Sequence, residues 1–160
     1  MFEANEAGEM VRLLDERTLE VNLPNRVGYE RVAMECSAAF AKIVGFVRER
    51  IDDLKTAVAE ACLNAMEHGN KLRPDARVIV TMKFDDGTFT VTVADEGEGL
   101  IDLPEDPDIE KKIERLETPR GLGIFLIRHL VDQVEFNKMS QQGHVLRMVL
   151  KMTYQEHTQC

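Results

Sequence analysis

The sequence predicts an α+β fold, a sandwich of helices against a mixed or antiparallel sheet, and three observations predict it. Segments of period-two and helical spacing follow one another as strand, two helices, two strands, one helix and one or two strands, which is not the strict alternation of a doubly wound sheet. The two central strands flank Asp85-Asp86-Gly87, a hairpin signal that makes them antiparallel neighbours. A length of 160 residues with 44% hydrophobic and 31% charged residues suits one domain with a sizeable core. We therefore expect a single domain over 1–160 with a polar leader at 1–17.

Each element has its own justification. Thr18 to Leu23 alternates at period two and stops at Pro24 and Asn25, as a strand does. Tyr29 to Arg50 has helical spacing, with an apolar stripe through Val32, Cys36, Ala39, Phe40, Ile43, Val44 and Val47. Ile51 to His68 follows as a second helix, and Gly69 stands where a C-cap glycine would. Ala76–Phe84 and Thr88–Asp95 are the hairpin strands. Glu96–Arg120 is polar and Pro-bearing and reads as a mobile segment holding a short amphipathic helix. Gly121–Val134 reads as a buried helix opening on glycines, and His144–Met152 as a closing strand.

Composition excludes several classes. A formal charge of -9 opposes a nucleic-acid partner, because phosphate backbones are held by clustered Lys and Arg. No run approaches the ~18 apolar residues of a membrane span, and Met1–Asp15 is acidic rather than a basic leader, so the expectation is a cytoplasmic protein away from membranes. Cys36, Cys62 and Cys160 are odd in number and lack paired C-x-x-C spacing, which points to reduced thiols.

Three stretches carry candidate chemistry. Glu60, Asn64 and His68 recur at steps of four, each step turning a helix by about 40°, so they form one polar stripe on a helix that is otherwise apolar on several sides. An amide oxygen there can hold Mg²⁺ and a carboxylate one turn away can accept a proton, although the same pair fits an exposed helix edge. Asp95 is in phase with Phe89, Val91 and Val93, which turns it toward the apolar side of its strand. An inward acid needs a partner, and the exocyclic amine of adenine would serve; Gly97 and Gly99 let the backbone pass close by. The alternative is that Asp95 begins a glycine-rich turn. Finally, Gly121 and Gly123 lead into a helix whose N-terminal amides can cradle phosphate beside Arg120.

E-x-x-x-N followed by H-G, then D-x-G-x-G, then R-G-x-G entering a helix, resembles in that order the GHKL ATPase and kinase superfamily of gyrase, heat-shock chaperones and histidine kinases. The compact length and the stretch GLGIFLIRHLVDQVEF are similar to the bacterial anti-sigma-factor serine kinases of the RsbW and SpoIIAB type, and the likeness covers Thr18 to Met152. It implies a Bergerat-type two-layer sandwich with a mixed, mostly antiparallel sheet and helices on one face. It also implies that ATP or ADP binds with Mg²⁺. Glu60 would be the general base and Asn64 the Mg²⁺ ligand, with His68 and Gly69 closing that motif near the phosphates. Asp95 would accept the adenine amine beside Gly97 and Gly99. Thr118, Arg120, Gly121, Leu122 and Gly123 would meet the triphosphate, and residues 100–119 would be the ATP lid.

The implied activity is ATP-dependent phosphorylation of a STAS-domain antagonist on serine. The same protein would sequester a sigma factor by partner switching and act as a homodimer. The alternatives are a non-catalytic ATP-gated binding switch and, less favoured, a histidine kinase catalytic domain acting in trans. One departure concerns the nucleotide site: where relatives carry G-[ST]-x-V, whose hydroxyl helps hold the adenine-binding acid, this chain has His144. Another concerns partners, since Arg31 stands near the place of a partner-touching Arg in the first helix, which one alignment gives to Met34.

Overall fold

In a computed structural model, described over residues 11–15, 17–97, 119–138 and 143–152, the period-two segments form one sheet and the helical segments lie across it. The strands are β1 (Val11–Asp15), β2 (Thr18–Pro24), β3 (Arg77–Asp85), β4 (Thr88–Ala94), β5 (Gln133–Lys138) and β6 (His144–Lys151). The helices are α1 (Glu30–Val44), α2 (Arg48–Asn64) and α3 (Pro119–Leu130), and α2 runs on into a π-helical turn at Ala65–Gly69. The sheet has six strands in the order β1-β2-β3-β4-β6-β5.

Every pairing among the described residues is antiparallel, so the sheet is not mixed. The reason lies in the connections. Two helices separate β2 from β3, so the chain re-enters the sheet at the end where β2 left it, whereas a single crossover helix would have returned it parallel. The β3–β4 hairpin closes as expected, with Asp86 (φ 47) and Gly87 (φ 70) both left-handed, as a two-residue type I′ turn requires.

The core lies between sheet and helices. Val78, Val80 and Met82 from β3 and Phe89, Val91 and Val93 from β4 are buried at alternate positions. Phe89 sits at the centre, edge-on to Phe40 at 5.2 Å and to Phe46 at 5.8 Å between ring centroids. Cys62 is fully buried among these side chains, and burial first, then the nearby Glu30 charge, pushes its thiol far above the usual range. Because the thiolate is the reactive form, Cys62 is expected to resist thiol reagents at pH 8 until the protein unfolds. Mass-spectrometric labelling kinetics check this, and rapid alkylation of Cys62 under native conditions would contradict the burial described.

Several boundaries differ from the sequence expectation. The long helix expected over Tyr29–Arg50 breaks at Gly45, which adopts φ 102 and turns the chain so that Phe46 enters the core. The helical spacing that runs through this glycine therefore misplaced the core stripe, and Ile43 is 81% and Val47 56% exposed. The face that packs on the sheet is Ala33, Ser37, Phe40 and Ala41, whose small residues let α1 lie close, with the Ser37 hydroxyl donating to the Ala33 carbonyl. Part of the expected leader is β1, paired with β2. The expected helix over Gly121–Val134 ends at Leu130 and gives way to β5. There Asp132 accepts from the Lys151 backbone and the Arg50 guanidinium and donates its own N–H to the Val149 carbonyl, which fixes the turn. Among the described residues no helix is long and apolar enough to cross a membrane.

Candidate functional site

Helix α2 carries the polar stripe toward α3, and Gly123 is where the two meet. A Cβ built on Gly123 would lie 3.0 Å from Glu60 Oε2 and 3.2 Å from Asn64 Nδ2, so the absence of a side chain lets both polar heads reach the first turns of α3. Those turns begin at Pro119, a residue suited to the first helical position, and the N–H groups of Arg120 and Gly121 that follow it have no intrahelical acceptor. Asn64 Nδ2 is buried without a partner among the described residues. Its amide can turn over, so the unpartnered end can offer an oxygen to a cation or an N–H to a phosphate. An unpaired buried polar atom beside a carboxylate and a helix N-terminus fits a site for phosphate and Mg²⁺. Among the described residues no three His, Cys, Asp or Glu gather into a metal cluster, and Mg²⁺ in such sites draws few ligands from protein.

Gly69 and Asp95 form the other end of the site. Asp95 continues the buried phase of β4 past Val93 and is 9% exposed, as its alternation predicts. Gly69 is not a left-handed cap. The turn that holds it is π-helical, closed by the Asn70 N–H on the Ala65 carbonyl. Gly69 lacks a side chain because a Cβ there would stand 2.1 Å from Asp95 Oδ2. Gly97 answers it from the other chain segment, since its Cβ would lie 2.0 Å from the Gly69 carbonyl oxygen. The two glycines thus allow the π-helical turn and the β4 terminus to close around the Asp95 carboxylate.

That carboxylate is asymmetric in its bonding. Oδ1 accepts from the Gly97 N–H at 2.8 Å and the His144 N–H at 3.1 Å, and it lies within hydrogen-bond distance of His144 Nδ1 at 3.0 Å. Among the described residues none donates to Oδ2. Asn70, which no sequence motif singles out, supports the same turn: its Oδ1 accepts the Glu96 N–H at 2.7 Å, and its Nδ2 donates to the Arg77 carbonyl and to Asn25 Oδ1. It is fully buried. An Asn directly after a glycine reads as a turn residue, so only its burial reveals the role.

One pocket joins the two ends. It is lined by Ala61, Asn64, Ala65, Gly69, Val93, Asp95, Ile124, Phe136 and Leu146, giving mostly apolar walls with one carboxylate and one amide. Such a slot suits a flat heterocycle with an N–H donor, and its Asn64 end suits charged oxygens. The structure thus brings together Glu60, Asn64, Gly69, Asp95, Gly97 and Gly123. His68 is half-buried on the π-helical turn and is not among these walls. Gly99, Thr118 and the rest of the expected lid over 100–118 lie outside the described residues, Pro119 at its end opens α3, and of Arg120, Gly121 and Leu122 only the helical backbone is described.

Known proteins share sequence and fold with this chain. The family described as "Histidine kinase-like ATPase domain" matches residues 23–150. The chain is 32% identical over 137 residues to the anti-sigma F factor of Heyndrickxia coagulans, covering 79% of this chain and 92% of that protein. It is 34% identical over 140 residues to the anti-sigma F factor of Thermoanaerobacter sp. (strain X514), covering 81% and 90%. It is 30% identical over 135 residues to the serine-protein kinase RsbW of Bacillus cereus (strain Q1), covering 81% and 82%. Among solved structures, the RsbU and RsbW domains of Rv1364c from Mycobacterium tuberculosis superpose with a TM-score of 0.61 at 17% identity, over 84% of this chain and 32% of that one, a likeness of fold.

Proposed function

The chain belongs to the histidine kinase-like ATPase domain family, and from that premise we propose that it is an ATP-dependent protein serine kinase of the anti-sigma type. It would phosphorylate a serine of a STAS-domain antagonist and sequester a sigma factor, acting in the cytoplasm as a homodimer. The names of its relatives, anti-sigma F factor and serine-protein kinase, support that reading. The observation that carries it is the pocket with Asp95 in one wall and Asn64, beside Glu60 and Gly123, in another.

The geometry supports the following roles for these residues. Asp95 Oδ2 accepts the exocyclic amine of adenine while Oδ1 stays bound to the protein. Ala61, Ala65, Val93, Ile124 and Leu146 bury the base and exclude water. Glu60 accepts the proton of the incoming serine hydroxyl as it attacks the terminal phosphoryl group. The N-terminal amides of α3 face the phosphates, and Asn64 would hold Mg²⁺. When bound, Mg²⁺ neutralises charge on the phosphate oxygens. Positioning accounts for most of the rate in such transfers, so few catalytic side chains are needed.

Calorimetric titration of Mg-ATP and Mg-ADP tests the reading first. Wild-type protein is expected to bind both, and Asp95→Asn to lose binding by about a hundredfold or more, because a neutral amide offers a donor where the adenine amine needs an acceptor. Absence of wild-type binding would remove the nucleotide reading. Transfer of phosphate from ATP to a STAS-domain protein of the same genome then tests the kinase step.

A further inference from the structure

We propose that His144 is the positioning residue that dedicates one oxygen of Asp95 to the protein and leaves the other to the ligand, so that it sets base selectivity without touching the base. The proposal rests on the nucleotide reading above and goes beyond it. His144 lies at the start of β6 and is 1% exposed. It meets Asp95 twice, through its backbone N–H and through ring Nδ1, both on Oδ1. The Asp95 N–H in turn donates to the His144 carbonyl at 2.9 Å.

An ionised carboxylate only accepts, so Nδ1 must carry the proton. A hydroxyl at this position would be short and free to rotate, whereas the imidazole is longer and planar. Phe136 sets that plane, stacking on the His144 ring at 5.6 Å with 26° between planes. Phe136 is itself a wall of the pocket. His144 therefore holds two pocket elements at once, the acid through Nδ1 and the aromatic wall through its face. The residue before it makes the approach feasible: Gly143 adopts φ +98, and a Cβ there would lie 2.1 Å from the Asp95 carbonyl oxygen.

The arrangement has a consequence for selectivity. With Oδ1 saturated by three N–H donors, Asp95 cannot swing, and Oδ2 presents a fixed acceptor. A base with an amine at that edge satisfies it, while a base with a carbonyl there sets oxygen against oxygen. Removing the Nδ1 donor leaves only the two backbone N–H groups on Oδ1, so the carboxylate is held less firmly and the discrimination falls.

Two measurements test this, one of them independent of nucleotide. Nitrogen-15 NMR of the imidazole in the ligand-free protein is expected to show Nδ1 protonated, with a shift that moves in Asp95→Asn; an unprotonated Nδ1 would overturn the proposal. The second is titration of ATP and inosine triphosphate into His144→Phe and His144→Asn. The Phe variant keeps a ring against Phe136 but has no donor, and is expected to bind ATP about tenfold or more weakly and to lose preference over inosine triphosphate. The Asn variant places an amide N–H where Nδ1 stood and is expected to keep that preference. Wild-type affinity and preference in the Phe variant would overturn the proposal, and if that variant does not fold, loss of preference in the Asn variant would do so. Wild-type protein that binds neither nucleotide would instead overturn the nucleotide reading, and the NMR result would decide the His144–Asp95 bond alone.

Discussion

Gly69→Ala is expected to abolish nucleotide binding and to lower the melting temperature, with a stability loss of about 1–3 kcal/mol. The Cβ would be placed 2.1 Å from Asp95 Oδ2 and 2.4 Å from its Cγ. Asp95 has little room to yield, because its other oxygen is held by Gly97 and His144. The π-helical turn cannot simply back away either, since Asn70 directly after it is tied to Glu96, Arg77 and Asn25. The result separates two explanations of this glycine. A left-handed cap would cost about 1 kcal/mol with Ala and tolerate Asn. A steric requirement makes Ala and Asn both severe. Calorimetry and thermal melts of Gly69→Ala and Gly69→Asn decide, and near-wild-type behaviour of either variant would contradict the close approach.

Glu60→Gln is expected to leave ATP affinity within about threefold of wild type and to lower phosphoryl transfer by about 10²–10⁴-fold. The amide has nearly the size of the carboxylate, so the contact with Gly123 is preserved, but it cannot take the serine proton. Radiolabel transfer to the antagonist, measured beside nucleotide titration, separates the two effects. Unchanged transfer would exclude Glu60 as the base. If instead partner binding responds to ATP normally while the wild type transfers no phosphate, the protein is a nucleotide-gated switch.

Much of the site was legible because local periodicity carries it. Asp95 follows Phe89, Val91 and Val93 at period two, and that phase alone turns it inward, as found. The spacing of Glu60 and Asn64 places both on one side of α2, and Gly123, one turn before the buried Ile127, marks where α3 comes close. Contacts between distant segments are not announced locally. Gly69 looked like a helix stop because the reason for it sits at Asp95, on another strand. His144 could be seen to replace a hydroxyl, but not that its ring reaches the same carboxylate. At Gly45 the helical spacing continues on both sides of a left-handed residue, so Ile43 and Val47 kept phase with a core they never meet. Strand β1 offered too few residues for alternation to stand out from a polar leader.

The π-helical turn at Ala65–Gly69 also governs which changes of length this molecule can accept over evolution. A wide turn holds one residue more than the ladder of an α-helix needs, so loss of a single residue there restores regular helix and rotates the next residues by about 100°. Gly69 would leave the carboxylate it accommodates, and Asn70 would leave the backbone it supports, with no change in composition or hydrophobicity. Point substitutions on the apolar walls can drift and compensate one another. Insertions and deletions between Asn64 and Asn70 cannot, and they belong to the surface turns, such as Lys71–Asp75, where most residues face solvent.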